Sequence, residues 1–380
     1  MQIRLLDRLA DIPAATWNEL VGGASPFLEW EWLASLEESG CASPQTGWSP
    51  KHLTLWDGND LVAACPLYVK SHSLGEFVFD QGWAEAAQRA GIEYYPKLVV
   101  GVPFTPATGR RFLVRAGHDE TTLARTMAQA LRELCDRNRL SSVHVNFCLP
   151  GEIEPLAAAG FEHRAGFQFM WVDQGWTSFD DYLQSFRSKR RVQIKRERRE
   201  LAEQGVEIRV HAGQDIPDEL FAPMFRLYKA TIDKLYWGRQ YLNEPLFDLL
   251  RQRWKHRLRF FVARRDGEIL AGTFTVHKGD TLYGRYWGSF EDVRFLHFNV
   301  CYYASIEYCL ENGIRRFEPG AGGEFKYLRG FDAQATASAH YVSDPRLAAA
   351  VGSYLGRERG AVHDEIEWLA ERSPLIRRPS

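Results

Sequence analysis

The chain has 380 residues, 45% hydrophobic and 25% charged, with a net charge of −2. That length exceeds what one hydrophobic core comfortably supports, so two domains or a duplicated unit are expected. The near-zero charge excludes a general electrostatic footprint for DNA, and any surface for a polyanion must be local. The six cysteines (Cys41, Cys65, Cys135, Cys148, Cys301, Cys309) form no CxxC pair and no zinc-type grouping with histidine. They read as small buried residues of a reducing compartment, with no disulfide and no structural metal.

In chain order, the opening MQIRLLDRLADIP carries Asp7 and Asp11 and does not read as a signal peptide. No stretch approaches the roughly 20 apolar residues of a membrane span, so a cytoplasmic protein is expected. Residues 52–69 read as two strands joined at Asp57-Gly58, and residues 260–276 repeat that plan around Asp266-Gly267. Residues 131–147 form a helix that breaks near Asn138 and leads into a strand, a plan repeated by 306–318 with Asn312-Gly313 as the stop. The matched pairs keep their order, which points to a duplicated α/β unit with mixed sheets. Residues 166–176 alternate like a strand closing the first unit. Domains are therefore expected over 1–172 and 173–344, the second carrying a basic helix over 180–204. Residues 345–380 supply a C-terminal helix that packs back on the first domain. Helices near 218–232, 244–255 and 298–312 alternate with strands near 259–265, 269–277, 281–287 and 314–318.

Several long segments carry a family likeness: SPFLEWEWLASLEESG (25–40), PLYVKSHSLGEFVFD (66–80), YYPKLVVGVPFTPATG (94–109), SFRSKRRVQIKRER (185–198), LYGRYWG (282–288), CYYASIEYC (301–309) and RFEPGAGGEFKYLRGF (316–331). They resemble a bacterial family of predicted N-acyltransferases related to the Fem aminoacyltransferases, which build peptidoglycan cross-bridges. The resemblance implies two tandem acetyltransferase-like domains of the GNAT/Fem type. The chain departs from the family pattern at Asn299, where members carry Glu, at Ala304 and Gly322, where they carry Gln, and at Phe325, where they carry His. A proton-transfer group at any of these positions would have been lost.

Four groups of residues can carry chemistry. First, eight of the thirteen residues from Arg187 to Arg199 are basic, opposed only by Glu197. Lys189, Arg190, Arg191 and Lys195 suit a phosphate-bearing donor, unless the helix is simply a solvated face. Second, glycines in residues 320–330 let backbone N–H groups approach an oxyanion. Gly320, Gly323, Lys326 and Arg329 join the donor set, with Glu318 and Glu324 as candidate proton acceptors. A tight structural turn fits the same glycines.

Third, alternation along 282–288 places Tyr283, Arg285 and Trp287 on one side and Leu282, Gly284, Tyr286 and Gly288 on the other. Arg285, Tyr286 and Trp287 are assigned to the donor, with Lys234 and Trp237 flanking the cleft on the acceptor side. Fourth, the three prolines of 94–109 suggest a bent segment lining a groove, where Tyr95, Lys97, Phe104 and Thr105 with Asp80 hold the acceptor. His340 is a third catalytic candidate, although, like His144, it also reads as a structural strand histidine.

No Ser-His-Asp or Cys-His spacing stands out, so direct attack of an amine on the acyl donor is expected, without a covalent enzyme intermediate. The pyrophosphate turn of acetyl-CoA enzymes is not visible, which favours aminoacyl-tRNA over acyl-CoA as co-substrate. No tightly bound cofactor is expected. The acceptor is a small-molecule or peptide amine, and the alternative is a ligand-binding member of the same fold without catalysis.

Overall fold

A computed structural model describes residues 1–234 and 238–376. Among them are fifteen strands: β1 (Gln2–Leu6), β2 (Trp48–Pro50), β3 (His52–Asp57), β4 (Asp60–Cys65), β5 (Leu67–Lys70), β6 (Lys97–Val100), β7 (Leu113–Val114), β8 (Ser142–Cys148), β9 (Glu162–Val172), β10 (Glu207–Ala212), β11 (Leu258–Arg265), β12 (Glu268–Lys278), β13 (Thr281–Ser289), β14 (Arg316–Glu318) and β15 (Asp332–Val342). The chain divides into two compact units. One comprises Met1–Phe167 and Ala335–Asp364; the other comprises Gln168–Gln334 and Glu365–Ser380.

In the first unit, β1, β3, β4 and β7 form one antiparallel sheet. A second runs β2-β5-β6-β8-β15, in which β6 and β8 are parallel and the other neighbours antiparallel. All seven residues of β8 are buried, as expected for a strand covered on both faces. The helix Glu120–Arg137 starts where the Asp119 side chain accepts from the Thr121 and Thr122 N–H groups, satisfying donors that the helix leaves open. Its apolar stripe of Leu123, Met127 and Leu131 packs with Leu98, Val143 and Val145.

The second unit runs β10-β11-β12-β13-β14-β9, with only β13 and β14 parallel. Each unit therefore has an antiparallel hairpin, a parallel pair and an antiparallel closing strand, the tandem acetyltransferase-like plan. The closing strands are exchanged along the chain. The 168–172 end of β9 closes the second unit's sheet, and the 335–342 end of β15 closes the first unit's.

Several expectations need correction. The Asp266-Gly267 turn stands as read, with both φ angles positive, but the first hairpin turns at Gly58-Asn59, one residue late. The basic helix is two helices, Phe179–Gln184 and Ser188–Ala202. Between them Phe186 is fully buried, bridged to Leu375, while the Arg187 N–H donates to the Pro374 carbonyl. Burying that phenyl ring breaks a segment whose composition is uniformly helical. Lys97–Val100 is a fully buried central strand, not a bent groove lining, because Pro96, Pro103 and Pro106 flank it.

Leu131 is fully buried in the first unit's core. Leu131→Ala is expected to cost about 2–5 kcal/mol, read as a lower urea midpoint with unchanged slope.

Candidate active site

The second unit holds an opening between two parallel strands. β13 and β14 pair through Thr281↔Arg316, Leu282↔Phe317 and Tyr283↔Glu318, and there the register stops. β13 runs on to Ser289 with β12 as its only strand partner among the described residues, so the two parallel strands part beyond Gly284. Such a parting at the carboxyl ends of parallel strands is where α/β sheets take ligands. The β12–β13 register also slips between Phe274↔Tyr286 and Thr275↔Gly284, so Arg285 is an extra residue, a β-bulge that turns the strand.

This bulge overturns the simple alternation expected for 282–288. Leu282 and Gly284 face the core that contains Phe317, and Trp287 packs on the same core. Tyr286 instead meets Tyr228, with rings 5.0 Å apart, and Gly288 faces Leu227. Both partners lie on the helix Phe221–Lys234. That helix is fastened to β13 at its end, where the Thr231 hydroxyl donates to the Trp287 carbonyl at 2.8 Å and Lys234 Nζ to that of Ser289 at 2.9 Å. Lys234 thus secures the strand's backbone. Trp237, assigned to the same cleft, lies outside the described residues.

The loop following β14 closes over the opening. Gly320, Gly322 and Gly323 all have positive φ, and a Cβ on Gly284 would sit 3.2 Å from Pro319 Cα, so both chains approach closely. Lys326 is 3% exposed and donates from Nζ to the Gly320 carbonyl at 2.5 Å. Among the described residues no carboxylate pairs with it. Burial lowers its pKa to about 8. Glu318, half-buried, ends the paired part of β14, whereas Glu324 is exposed in the loop.

Arg329 does not face the opening. Its guanidinium lies 3.4 Å over the Phe298 ring, pairs with Glu197 at 2.9 Å and donates to the Phe325 carbonyl. His297, which carries no motif in the sequence, lies beside Trp287 and Tyr302 with rings 5.1 and 5.2 Å away. Burial, then the charges of Arg329 and Lys326, lower its pKa to about 4, so it is neutral at pH 7.

On the helix Ser188–Ala202 the charges divide by position. Toward its C-terminal end Arg196, Arg198 and Arg199 pair with Glu200, Glu307 and Glu203. Toward its N-terminal end Arg190 and Arg191 reach only the neutral Gln193 and Gln184, and Lys189 and Lys195 have no ion pair among the described residues. The excess positive charge is thus concentrated where the helix dipole is also positive, the polarity that attracts an anion.

The family-departure positions have structural roles. Asn299 is buried and donates to the Glu197 and Phe295 carbonyls at 3.1 and 2.9 Å, at the start of a π-helical turn, Asn299–Tyr303. Ala304 lines a groove of about 560 Å³ beside Arg198 and Tyr308. Gly322 and Phe325 are exposed in the loop, with Phe325 5.7 Å from the Phe298 ring.

In the first unit the corresponding parallel pair, Leu98↔Val143 to Val100↔Val145, opens onto space filled by its own chain. Arg111, 1% exposed, donates to the Asn146 and Ala107 carbonyls at 2.6 Å, and the Gly109 N–H donates to the Phe147 carbonyl. Asp80, Tyr95 and Lys97 do come together, at the amino end of β6. Lys97 Nζ binds Asp80, Glu76 and Ser73, and the Ser73 hydroxyl meets Tyr95 at 2.7 Å. The network is buried, with Lys97 0% and Asp80 1% exposed, and Glu76 Oε1, Asp80 Oδ1 and His340 Nε2 have no hydrogen-bond partner within it.

Burial opposes the charge on both Lys97 and Asp80, but mutual attraction wins: the lysine is raised and the carboxyl held well below its usual range. His340 lies in this network too, 2.7 Å from His144 Nδ1. Burial, then His144, keep it far below an ordinary histidine pKa, so it is neutral. The structure therefore groups His340 with Asp80 in the first unit, while Glu318 and Glu324 belong to the second. Phe104 packs on Trp48 and Thr105 bonds the Pro103 carbonyl, both apart from the network.

A Cβ on Gly288 would lie 1.9 Å from the Leu227 carbonyl oxygen. Gly288→Ala should therefore force β13 away from its helix, lowering stability by about 1–3 kcal/mol in denaturant unfolding.

Comparison with known proteins agrees with this architecture. The chain resembles the crystal structure of FemX (TM-score 0.57, 13% identity, covering 93% of this chain and all of that one). It also resembles the C-terminal domain of a putative lysylphosphatidylglycerol synthetase from Agrobacterium fabrum (0.54, 13%, covering 89% and 94%) and L-PGS from Bacillus licheniformis (0.50, 11%, covering 85% and 95%). No curated protein matches the chain. Over residues 8–377 it matches the FemAB-like family, described as peptidoglycan biosynthesis and recognition, and it belongs to that family of acyltransferases.

Proposed function

We propose that the second unit transfers an aminoacyl group from tRNA to an amine by direct attack. The observation that carries this reading is the parting of β13 from β14 beyond Tyr283↔Glu318, with the buried, carboxylate-free ammonium of Lys326 beside it. The acyl carbonyl sits in the opening, where the Lys326 ammonium stabilises the developing oxyanion. The acceptor ammonium gives a proton to Glu318. Its neutral nitrogen then forms the new C–N bond while the ester C–O bond breaks, and the proton which that nitrogen sheds passes to the leaving tRNA oxygen. The unpaired N-terminal half of the basic helix receives the phosphates of the carrier. The family description favours an acceptor amine on a peptidoglycan precursor.

The test supplies labelled aminoacyl-tRNA and, separately, labelled acyl-CoA, with peptide and small-molecule amines. Amide formation from aminoacyl-tRNA is expected; transfer from acyl-CoA alone would reassign the donor, and none from either would overturn the reading. Because Lys326 is protonated only below about 8, the rate should fall as pH rises through that value. Lys326→Arg should carry activity to higher pH, since guanidinium stays charged. Reversing Arg190 and Arg191 to Glu should weaken tRNA binding and flatten its salt dependence, measured by fluorescence anisotropy across a salt series.

A further inference from the structure

Glu197 is the only acid among the eight basic residues from Arg187 to Arg199, and it points inward at 1% exposure. Burying a lone carboxylate is costly unless it is paired and fully hydrogen-bonded. Here the requirement is met by groups from three separate elements. Gln193, one turn earlier on its own helix, donates to Oε1 at 2.9 Å. Tyr303, at the end of the π-helical turn, donates its hydroxyl to Oε2. Arg329, in the loop, donates from Nη2 to the same Oε2 at 2.9 Å and from Nε to the Tyr303 hydroxyl at 2.9 Å. The Glu197 carbonyl in turn accepts from Asn299.

The chain of contacts continues to the site. Arg329 Nη1 donates to the carbonyl of Phe325, the residue immediately before Lys326, and the Arg329 carbonyl accepts from the Tyr182 hydroxyl. The helix assigned to the carrier phosphates and the loop bearing the ammonium thus share one buried carboxylate. We infer that Glu197 is a positioning residue that keys the basic helix to residues 320–330, setting where Lys326 Nζ stands relative to the opening. The inference uses the reading of Lys326 given above, but its test reads the coupling without any substrate, so either can fail while the other stands.

Glu197→Gln keeps the shape and removes the anion, leaving an amide N–H₂ against Tyr303 and Arg329. Hydrogen exchange of the amides of 320–330 should rise at least ten-fold while that of β11 is unchanged. The titration midpoint of Lys326, followed by NMR on lysine-labelled protein, should move. Ile194→Ala is the control, because Ile194 is buried on the same helix and its apolar side chain forms none of the hydrogen bonds of this network. It should lower stability yet leave the loop's exchange and the Lys326 midpoint as they are. Should Glu197→Gln not fold, Tyr303→Phe removes the bridging hydroxyl and should shift both readouts less, in the same direction. An unchanged loop in the Glu197 or Tyr303 variant, or an equal change in the Ile194 variant, overturns the assignment.

Discussion

The arrangement of the site depends on a single break in hydrogen bonding. Two parallel strands that begin as an ordinary ladder stop pairing after three residues, and one of them continues with only its other strand neighbour beside it. A sheet that parts in this way leaves room for a ligand between the strands. The bulge at Arg285 and the fastening of β13 by Thr231 and Lys234 hold the strand in that parted state.

The two units treat the same topological position in opposite ways. In the first, residues 101–112 fold into the gap and the buried Arg111 guanidinium satisfies carbonyls that a ligand would otherwise meet. In the second, a glycine loop follows β14, and the buried Lys326, not an arginine, lies at the gap. A side chain with five donors and a fixed fork fills the first opening as a ligand might.

The Asp266-Gly267 turn, the helix positions outside the basic segment and the order of elements were readable in the sequence because they rest on local rules of periodicity and turn chemistry. The basic helix and the glycine loop were visible for the same reason. Three features were not. The break at Phe186 follows from a tertiary contact with Leu375, 189 positions away, which no local pattern records. The bulge at Arg285 shifts the alternation by one residue, and its only trace is the isolated Gly284, which also fits a plain strand. His297 gained its place from folding, since an isolated histidine among aromatics carries no signature.

The exchanged closing strands bear on how the molecule is made. The first unit's sheet requires Val342 beside Ser142, a pairing of residues 200 positions apart, and residues 168–334 of the second unit lie between them. As the polypeptide leaves the ribosome, the earlier-made half must wait with the β8 edge bare until the later half has emerged. An uncovered strand edge is a template for unwanted association, so this nascent stage is where the protein is most exposed to aggregation and most dependent on chaperones.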